Sequence, residues 1–381
     1  MVSYTIFSGI SLVERLYYEV RVGMTGREWR FSVLSMKGGM AMKHIYRIGS
    51  FNWCNLSKHH FNDKVPRYKG FEIIADLIRR EELDIVCFQE ILSEGKPIYD
   101  LVDHYLPNWE KKWVPSKDSS DHSKNKDNRG EGYAVIWNGK RIKKADGGTP
   151  IGAKSFEPTV LDDGKYRFFS RIPMYARLIP KNGGFFEFRL VNVHIHFGDN
   201  TPSEIDKRKA EYDCFVKQIY PDISMKRKYG NNRAAYTIAM GDYNLNIRRE
   251  YPDGMGVNIL PNTYIEDEYI STQQVIRTLQ TELTSVKNDG YSQNYDHFTV
   301  DIKKLRESGI SWKVERVDAV SNYCNGSFEE YTTSVSDHVP IIMELQIGSD
   351  EVISTGLNYK KHNWTTPGII SDTDEKREGG R

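Results

Sequence analysis

Several apolar segments of this chain each end in polar side chains on one face, and this pattern constrains the fold more than any other feature. The clearest case is the stretch 236–244. Its composition favours a β-strand, and in an extended chain Met240, Asp242 and Asn244 lie on the same face. An acid and an amide then project together from the end of a rigid segment. The alternative interpretation is a strand that runs into an ordinary Asp/Asn turn.

The same pattern recurs in three further segments. Alternation of side chains places Asn52 at the end of the first and His194 near the end of the third. In the second it places Glu90 on the face of Val86 and Phe88. One such ending would be a loop entry, whereas four predict a shared site at one edge of a sheet sandwich. The three segments are 46–52, 84–90 and 189–196.

Composition and charge limit the classes of function. The chain has 381 residues and a formal net charge of +1, so it has no global basic field, and a nucleic-acid partner would have to meet a local patch. No apolar run approaches the roughly 20 residues that a membrane-spanning helix needs. The four cysteines are widely separated, and the N-terminus lacks a signal-peptide pattern. We therefore expect a cytoplasmic protein without a transmembrane segment.

The chain divides into three predicted regions. Residues 1–41 do not resemble the rest and are expected to be a loosely attached N-terminal extension, residues 42–348 form the catalytic domain, and the polar residues 349–381 form a disordered tail. Within the domain, apolar spacing predicts an amphipathic helix over 67–80. Capping-box patterns predict a helix from residue 201 and another from 271 to about 283.

The polar residues at the strand ends have complementary chemistry. Carboxylates such as Glu90 and Asp337, together with the Asn52 amide, suit Mg²⁺ or Mn²⁺ better than zinc. Two histidines that carboxylates can orient are suited to general acid–base catalysis, and Arg171 offers a planar fork for phosphate oxygens. This combination predicts hydrolysis of a phosphate ester by water. The collected residues are Asn52, Glu90, Glu131, Arg171, His194, Asp242, Asn244, Asp296, Asp337 and His338.

Six short motifs in order resemble those of the endonuclease/exonuclease/phosphatase superfamily. They extend over most of the chain, from residue 51 to residue 338. The resemblance implies an α+β fold, a four-layer sandwich of two mixed β-sheets packed face to face with helices outside. The motifs are Phe51-Asn52-Trp53, Gln89-Glu90, Val193-His194, Gly241-Asp242-Tyr243-Asn244, Tyr295-Asp296 and Ser336-Asp337-His338.

The resemblance also implies a role for each matching residue. Glu90 would be the principal metal ligand, with Asn52 and Asp337 close to the ion. Asp242 and Asn244 would position water and phosphate. The histidines would complete the catalytic set, with His338 paired to Asp296 and His194 as the second histidine.

Within the superfamily, the pancreatic-type deoxyribonucleases are the branch that the chain resembles most. The segment 169–173 looks like that branch's Ser-Arg segment, which makes Arg171 a phosphate contact. Glu131 stands where the branch has a carboxylate that orients the first histidine. Arg129 stands about where the branch has a DNA-contacting tyrosine, so the substrate is less well defined than the chemistry.

The leading prediction is a Mg²⁺- or Mn²⁺-dependent DNA endonuclease. Arg248 and Arg249, shortly after the Asn244 motif, are expected to reach a phosphate backbone, although basic pairs are usually solvated surface. The alternatives are a phospholipid head-group phosphodiesterase or a phosphomonoesterase of the same superfamily, and a binding module without turnover. The motif typical of inositide phosphatases is replaced by residues 294–297, which argues against a phosphoinositide phosphatase.

Overall fold

The structure is a computed structural model in which the chain divides into two units, Met1–Met42 and Lys43–Arg381. The first unit contains an antiparallel three-stranded sheet in the order β1-β2-β3, with β1 Val2–Tyr4, β2 Val20–Thr25 and β3 Glu28–Val33. The structure describes residues 2–4, 20–25, 28–33, 43–56, 68–116, 131–146, 149–153, 159–160, 166–167, 169–181, 186–225, 234–246, 276–279 and 282–348. The predicted loose attachment of residues 1–41 and the predicted disordered tail remain predictions, and the tail lies outside the described residues.

The second unit alternates strands and helices along the chain. The helices are α1 Tyr68–Arg80, α2 Lys96–Tyr105, α3 Pro202–Cys214, α4 Tyr220–Met225, α5 Ile302–Glu307, α6 Ala319–Cys324 and α7 Phe328–Ser334, with a 3₁₀ turn at Ser93–Gly95 and a π-helical turn at Phe215–Ile219. The strands are β4 Lys43–Leu56, β5 Ile85–Ile91, β6 Trp109–Pro115, β7 Gly132–Asn138, β8 Ile142–Lys144, β9 Ile151–Ala153, β10 Thr159–Val160, β11 Tyr166–Arg167, β12 Met174–Pro180, β13 Phe186–His194, β14 Ala234–Asp242, β15 Ile276–Leu279, β16 Val286–Lys287, β17 Gly290–Tyr291, β18 Asp296–Asp301, β19 Ser311–Arg316 and β20 Ile341–Gly348.

Two large mixed sheets form the centre of this unit. One has six strands in the order β19-β20-β4-β5-β7-β6, and only its β4–β5 pair is parallel. The other has seven strands in the order β15-β18-β14-β13-β12-β8, with β9 also paired to β12 and with β13–β14 as its parallel pair. Each parallel pair brings two strand ends to the same edge of its sheet, as the site requires.

Three apolar clusters define the layers. One cluster lies between the sheets, where alternate residues such as Ile48, Leu190 and Ile238 face one another and are fully buried. A second covers the outer face of the six-stranded sheet with α1, α2, α6 and α7, and a third covers the other sheet with α3, α4 and the π-helical turn. The predicted four-layer sandwich of two mixed sheets with helices outside is therefore confirmed.

The helix predictions had different outcomes. The helix expected over 67–80 is α1, and the helix expected from residue 201 is α3. The expected helix from 271 to about 283 is wrong, because β15 occupies 276–279 and pairs with β18. Thr278 and Leu279 are buried by that pairing, so tertiary contacts outweigh the local helix-start signal. None of the described helices is both long and apolar enough to cross a membrane.

Candidate active site

Asn52 joins the two sheets at the edge predicted for the site. It is buried near the end of the regular part of β4, and Ser336 Oγ donates a 2.8 Å hydrogen bond to its carbonyl oxygen. The side-chain Nδ2 donates to Glu90 Oε1 at 3.1 Å and to Asp242 Oδ2 at 3.0 Å. A single amide thus holds together two carboxylates that are far apart in sequence, and keeps both oriented toward the same space.

Glu90 reaches this site for a different reason from the one predicted. Strict alternation groups it with Val86 and Phe88, but these two residues pack beneath the outer helices, while Ile85 and Cys87 face the second sheet. The backbone of Glu90 adopts a left-handed conformation with φ of 59°, and the strand register shifts on both sides of β5 at this point. The irregularity redirects the side chain to the site, as β-bulges do elsewhere.

Asp242 is placed by strand register and by the glycine before it. In the parallel β13–β14 pair it lies opposite His194. Gly241 has a φ of 142°, and a Cβ there would lie 1.8 Å from the Val193 carbonyl oxygen. Only glycine permits this close approach of the strands. The carboxylate of Asp242 also accepts a 2.8 Å hydrogen bond at Oδ1 from the backbone N–H of Asn244.

His194 lies against Glu131, the residue that the resemblance assigned to the orientation of a histidine. Nδ1 lies 3.1 Å from Glu131 Oε1, and the same oxygen forms an ion pair with Arg171, 2.7 Å from its Nε. Burial alone would raise the pKa of Glu131, but the hydrogen bond from His194 and the charge of Arg171 outweigh it and hold the pKa at about 2. Because an ionised carboxylate can only accept, Nδ1 carries the proton and Nε2 faces the site.

His338 forms the second oriented histidine. Its Nδ1 donates to Asp296 Oδ2 at 2.7 Å, and its backbone N–H donates to Ser336 Oγ at 3.1 Å. Burial by itself would lower the pKa of His338, but Asp296, Asp242 and the neighbouring Asp337 raise it well above its ordinary value. The charged form of this ring is therefore favoured.

The two histidines converge on one oxygen. Nε2 of His194 and Nε2 of His338 each lie 3.7 Å from Asp242 Oδ2. These are ion-pair distances rather than direct hydrogen bonds. Asn244, in a left-handed conformation with φ of 51°, is fixed beside them by a 3.0 Å hydrogen bond from its Nδ2 to the Ile195 carbonyl.

A cavity of about 480 Å³ opens over these groups. Phe197 at its edge is 67% exposed, so it is not held there by burial in the core. The lining residues include seven of the ten predicted polar residues, all but Asn52, Glu131 and Asp296, together with several neighbours: Cys54, Glu90, Arg171, His194, Phe197, Asn200, Asp242, Asn244, Ser285, Val286, Lys287, Ser292, Gln293, Tyr295, Asp337 and His338.

The donor set of the cavity fits Mg²⁺ or Mn²⁺. Within the residues that the structure describes, no group of three or more His, Cys, Asp or Glu side chains is placed to hold an ion. Mg²⁺ does not need such a group, because it is usually bound by one or two carboxylates with water and substrate phosphates. Glu90 and Asp337 both line the cavity, and both carboxylates raise the pKa of the Cys54 thiol beyond the effect of its burial. Both negative charges therefore act on the region of the cavity beside Cys54.

The remaining sequence predictions fall into two groups. Arg129, Arg248 and Arg249 lie outside the described residues, so their roles remain predictions. Sequence reasoning assigned no role to Tyr133, which accepts a 3.1 Å hydrogen bond from the backbone N–H of His194, or to Ser336, which joins Asn52 to His338. Ser336 was available as a signal, since it belongs to the Ser-Asp-His motif, whereas nothing in the local pattern distinguishes Tyr133 from an ordinary strand aromatic.

Comparison with known proteins gives structural likeness without sequence matches. No family model and no curated protein matches the chain. A solved endonuclease/exonuclease/phosphatase from Bacteroides vulgatus shares 16% identity and a TM-score of 0.49, and the match covers 80% of this chain and all of that one. TDP2 from D. rerio, in complex with a single-strand DNA product, shares 13% identity with a TM-score of 0.47 over 79% of this chain and 98% of that one.

A third solved structure is ANGEL2, a 2′,3′-cyclic phosphatase in complex with adenosine-2′,3′-vanadate. It shares 13% identity and a TM-score of 0.48, with coverage of 80% of this chain and 96% of that one. At such identities the likeness concerns the fold alone. The superfamily to which these structures belong is the one that the ordered motifs of the sequence resemble.

Proposed function

We propose that the protein is a divalent-metal-dependent phosphodiesterase that cleaves DNA internally, as a phosphoric ester hydrolase of the endonuclease/exonuclease/phosphatase superfamily. The observation that carries the proposal is the position of Asp242 Oδ2, 3.7 Å from Nε2 of both His194 and His338. Each ring is held from behind by a carboxylate. Two oriented histidines around one anion, beside an arginine in a cavity, support proton transfer during hydrolysis of a phosphate ester.

The side chains divide the reaction between them. Arg171 lines the cavity with its Nε in an ion pair with Glu131, and its other N–H groups are the donors that would bind phosphate oxygens. Asp242, held by Asn52 and by the Asn244 backbone, orients the attacking water. One histidine accepts the proton of that water, and the other returns a proton to the leaving oxygen. Both rings are suited to this work because their Nδ1 atoms are already bonded to carboxylates.

Glu90 and Asp337 are the proposed metal ligands, and Asn52 holds Glu90 in place. When bound, a divalent cation supplies positive charge beside the phosphate and lowers the pKa of a water molecule. The carboxylates alone would repel an anionic phosphate, so the reaction should depend on added Mg²⁺ or Mn²⁺. The choice of DNA among phosphodiesters rests on the sequence resemblance to the deoxyribonuclease branch.

The direct test is a comparison of three substrates under matched conditions. Purified protein is incubated with supercoiled plasmid, a phosphoinositide and sphingomyelin, each with Mg²⁺, Mn²⁺ or EDTA. We expect nicked plasmid with either metal, none with EDTA and no turnover of the two lipids. Turnover of sphingomyelin with intact plasmid would instead establish the phospholipid alternative. Plasmid cleavage that continues in EDTA would contradict the metal requirement.

The basic pair Arg248 and Arg249 tests the nucleic-acid part of the proposal. If each contacts a backbone phosphate, each adds roughly one unit to the dependence of log binding constant on log salt concentration. Changing both to alanine should flatten that slope, measured by fluorescence anisotropy with a labelled duplex, and leave hydrolysis of a small phosphodiester nearly unchanged. The matched control changes Lys143 and Lys144, the second of which is exposed, to alanine. Equal effects from the two pairs would show only nonspecific loss of charge.

A further inference from the structure

A second hydrogen-bond network lies behind the cavity and is centred on Glu211. This residue belongs to α3 and is 6% exposed. Its Oε1 accepts from the Ser170 backbone N–H at 2.8 Å and from Ser170 Oγ at 2.6 Å, and its Oε2 accepts from the His196 backbone N–H at 2.9 Å. The proposed reaction uses none of these groups.

The network connects the two segments that carry Arg171 and His194. Ser170 directly precedes Arg171, and His196 follows the strand end that carries His194. The two segments meet again on the cavity side, where Arg171 and His194 both contact Glu131. Glu211 of α3 therefore joins these two segments on the side away from the cavity, and Glu131 joins them on the cavity side.

His196 completes the network instead of entering the cavity. Its Nδ1 lies 3.0 Å from Ser170 Oγ, and its Nε2 contacts Glu204 of α3. Glu204 is the acid of the predicted capping box, but it makes this contact and one with Lys207, and no side chain caps the start of α3. The histidine that shares a face with His194 in the sequence thus ties the end of β13 to α3.

The hydrogen-bond pattern argues against a nucleophilic role for Ser170. A serine, a histidine and a glutamate in a row resemble a hydrolytic triad, in which the histidine accepts the hydroxyl proton. Here the hydroxyl of Ser170 donates to Glu211 at 2.6 Å, so its single proton is already committed. The geometry is that of a structural tie.

We propose that Glu211 is a positioning residue that holds the Ser170–Arg171 segment against the end of β13, and so sets the place of Arg171 in the cavity. Its kinetic consequence rests on the proposed phosphodiesterase function. The three donors that face its two oxygens are matched by a carboxylate, even though burial raises the pKa of Glu211. A glutamine would turn its amide N–H groups toward either the Ser170 N–H or the His196 N–H, and a donor would face a donor.

The primary variant is Glu211→Gln, and the matched control is Asp213→Asn, a half-exposed acid on the same helix that pairs with Lys217. The first readout needs no substrate. It is the ¹⁵N–¹H signal of the Arg171 Nε–H, which is assigned by its disappearance in Arg171→Lys. The ion pair with Glu131 should protect this proton from exchange with solvent. We expect this signal to shift and lose protection in Glu211→Gln and to stay unchanged in Asp213→Asn.

The second readout is a double-mutant cycle on plasmid or small-substrate hydrolysis. Displacement of a substrate-binding group by about 1 Å can reduce the rate by about 100-fold, so we expect Glu211→Gln to lower kcat/KM by about 10- to 100-fold. In an Arg171→Lys background the same change should lower kcat/KM by less than about threefold, because a residue that acts through Arg171 has nothing left to position. A general loss of folded protein would instead reduce activity by the same factor in both backgrounds.

The outcomes separate this inference from the proposed function. An unchanged Arg171 signal, or equal losses in both backgrounds, would overturn the positioning role. A wild-type protein that hydrolyses no phosphate ester would overturn the proposed function, while the Arg171 signal would still decide the positioning role. If Glu211→Gln does not fold, Ser170→Ala removes only the hydroxyl bonds and should change the Arg171 signal in the same direction by a smaller amount; an unchanged signal in that folded variant would overturn the inference.

Discussion

Glu131 offers a quantitative test of the site's electrostatics, through the change Glu131→Gln. Glu131 is 8% exposed, and its carboxylate accepts a hydrogen bond from His194 and forms an ion pair with Arg171. The pKa is about 2 against an ordinary 4.5. Each pKa unit corresponds to about 1.4 kcal/mol, so the preference for the ionised form in the folded state contributes about 3 kcal/mol to the free energy of unfolding at neutral pH.

The sign follows from the depressed pKa. A carboxylate with a lower pKa in the folded state stabilises above its unfolded pKa and loses that contribution as pH falls through the folded value. Relative to wild type, Glu131→Gln should therefore lower the free energy of unfolding by about 3 kcal/mol at pH 7 and by about 2 kcal/mol at pH 3.5, and the difference should vanish only below about pH 2. The pairing lost is buried, so solvent does not screen most of it.

Urea unfolding followed by circular dichroism measures this difference at pH 7, 4.5 and 3.5. Glu72→Gln, an exposed acid on α1, is the matched control, and its effect should stay within about 0.5 kcal/mol at each pH. A destabilisation by Glu131→Gln below about 1 kcal/mol at pH 7 would refute the argument. So would a difference that is the same at pH 3.5 as at pH 7, because the loss would then come from packing and not from the charge.

Three further changes test separate parts of the site. Glu90→Gln should reduce plasmid cleavage by at least about 100-fold in saturating Mg²⁺ with an unchanged circular dichroism spectrum, and undiminished turnover would exclude Glu90 as a metal ligand. Gly241→Ala should destabilise the fold by at least about 1–3 kcal/mol, which is the cost of the strained backbone conformation alone. The added Cβ would also collide with the Val193 carbonyl. A thermal midpoint equal to that of wild type would contradict this geometry. Asp296→Asn leaves a shape like that of wild type but weakens the orientation of His338, so kcat should fall by about 100-fold, and a change confined to KM would show that the pair binds substrate instead.

Regular alternation was sufficient to predict part of the site. Asn52, His194 and Asp242 lie on the faces that the sequence assigns to them, because β4, β13 and β14 keep their two-residue period up to these positions. Glu90 was assigned to the site for the wrong reason. Its strand is buried on both faces, so the sequence contains no apolar/polar alternation to locate the left-handed residue that turns its side chain.

Contacts between distant segments could not be obtained from periodicity. The ion pair of Arg171 with Glu131 depends on two loops that no local pattern relates. The resemblance to a known branch assigned Arg171 to a phosphate contact and Glu131 to the first histidine, but it did not pair the two residues. The failed helix over 271–283 has the same origin. The capping-box pattern at residue 271 is a true helix-start pattern. However, β15 pairs with β18, and the backbone hydrogen bonds of that pairing replace those of a helix.

The register of β14 explains why the two histidines meet at one oxygen of Asp242. Asp242 lies opposite His194 in the parallel pair with β13 and opposite Asp296 in the antiparallel pair with β18. Asp296 in turn holds His338, so both histidines are placed by the two neighbours of a single strand. A slip of one residue would move every side chain of β14 to the opposite face and remove Asp242 from both. Because the same apolar face of β14 is packed between the sheets, the burial that fixes the register also fixes the distances between the groups of the site.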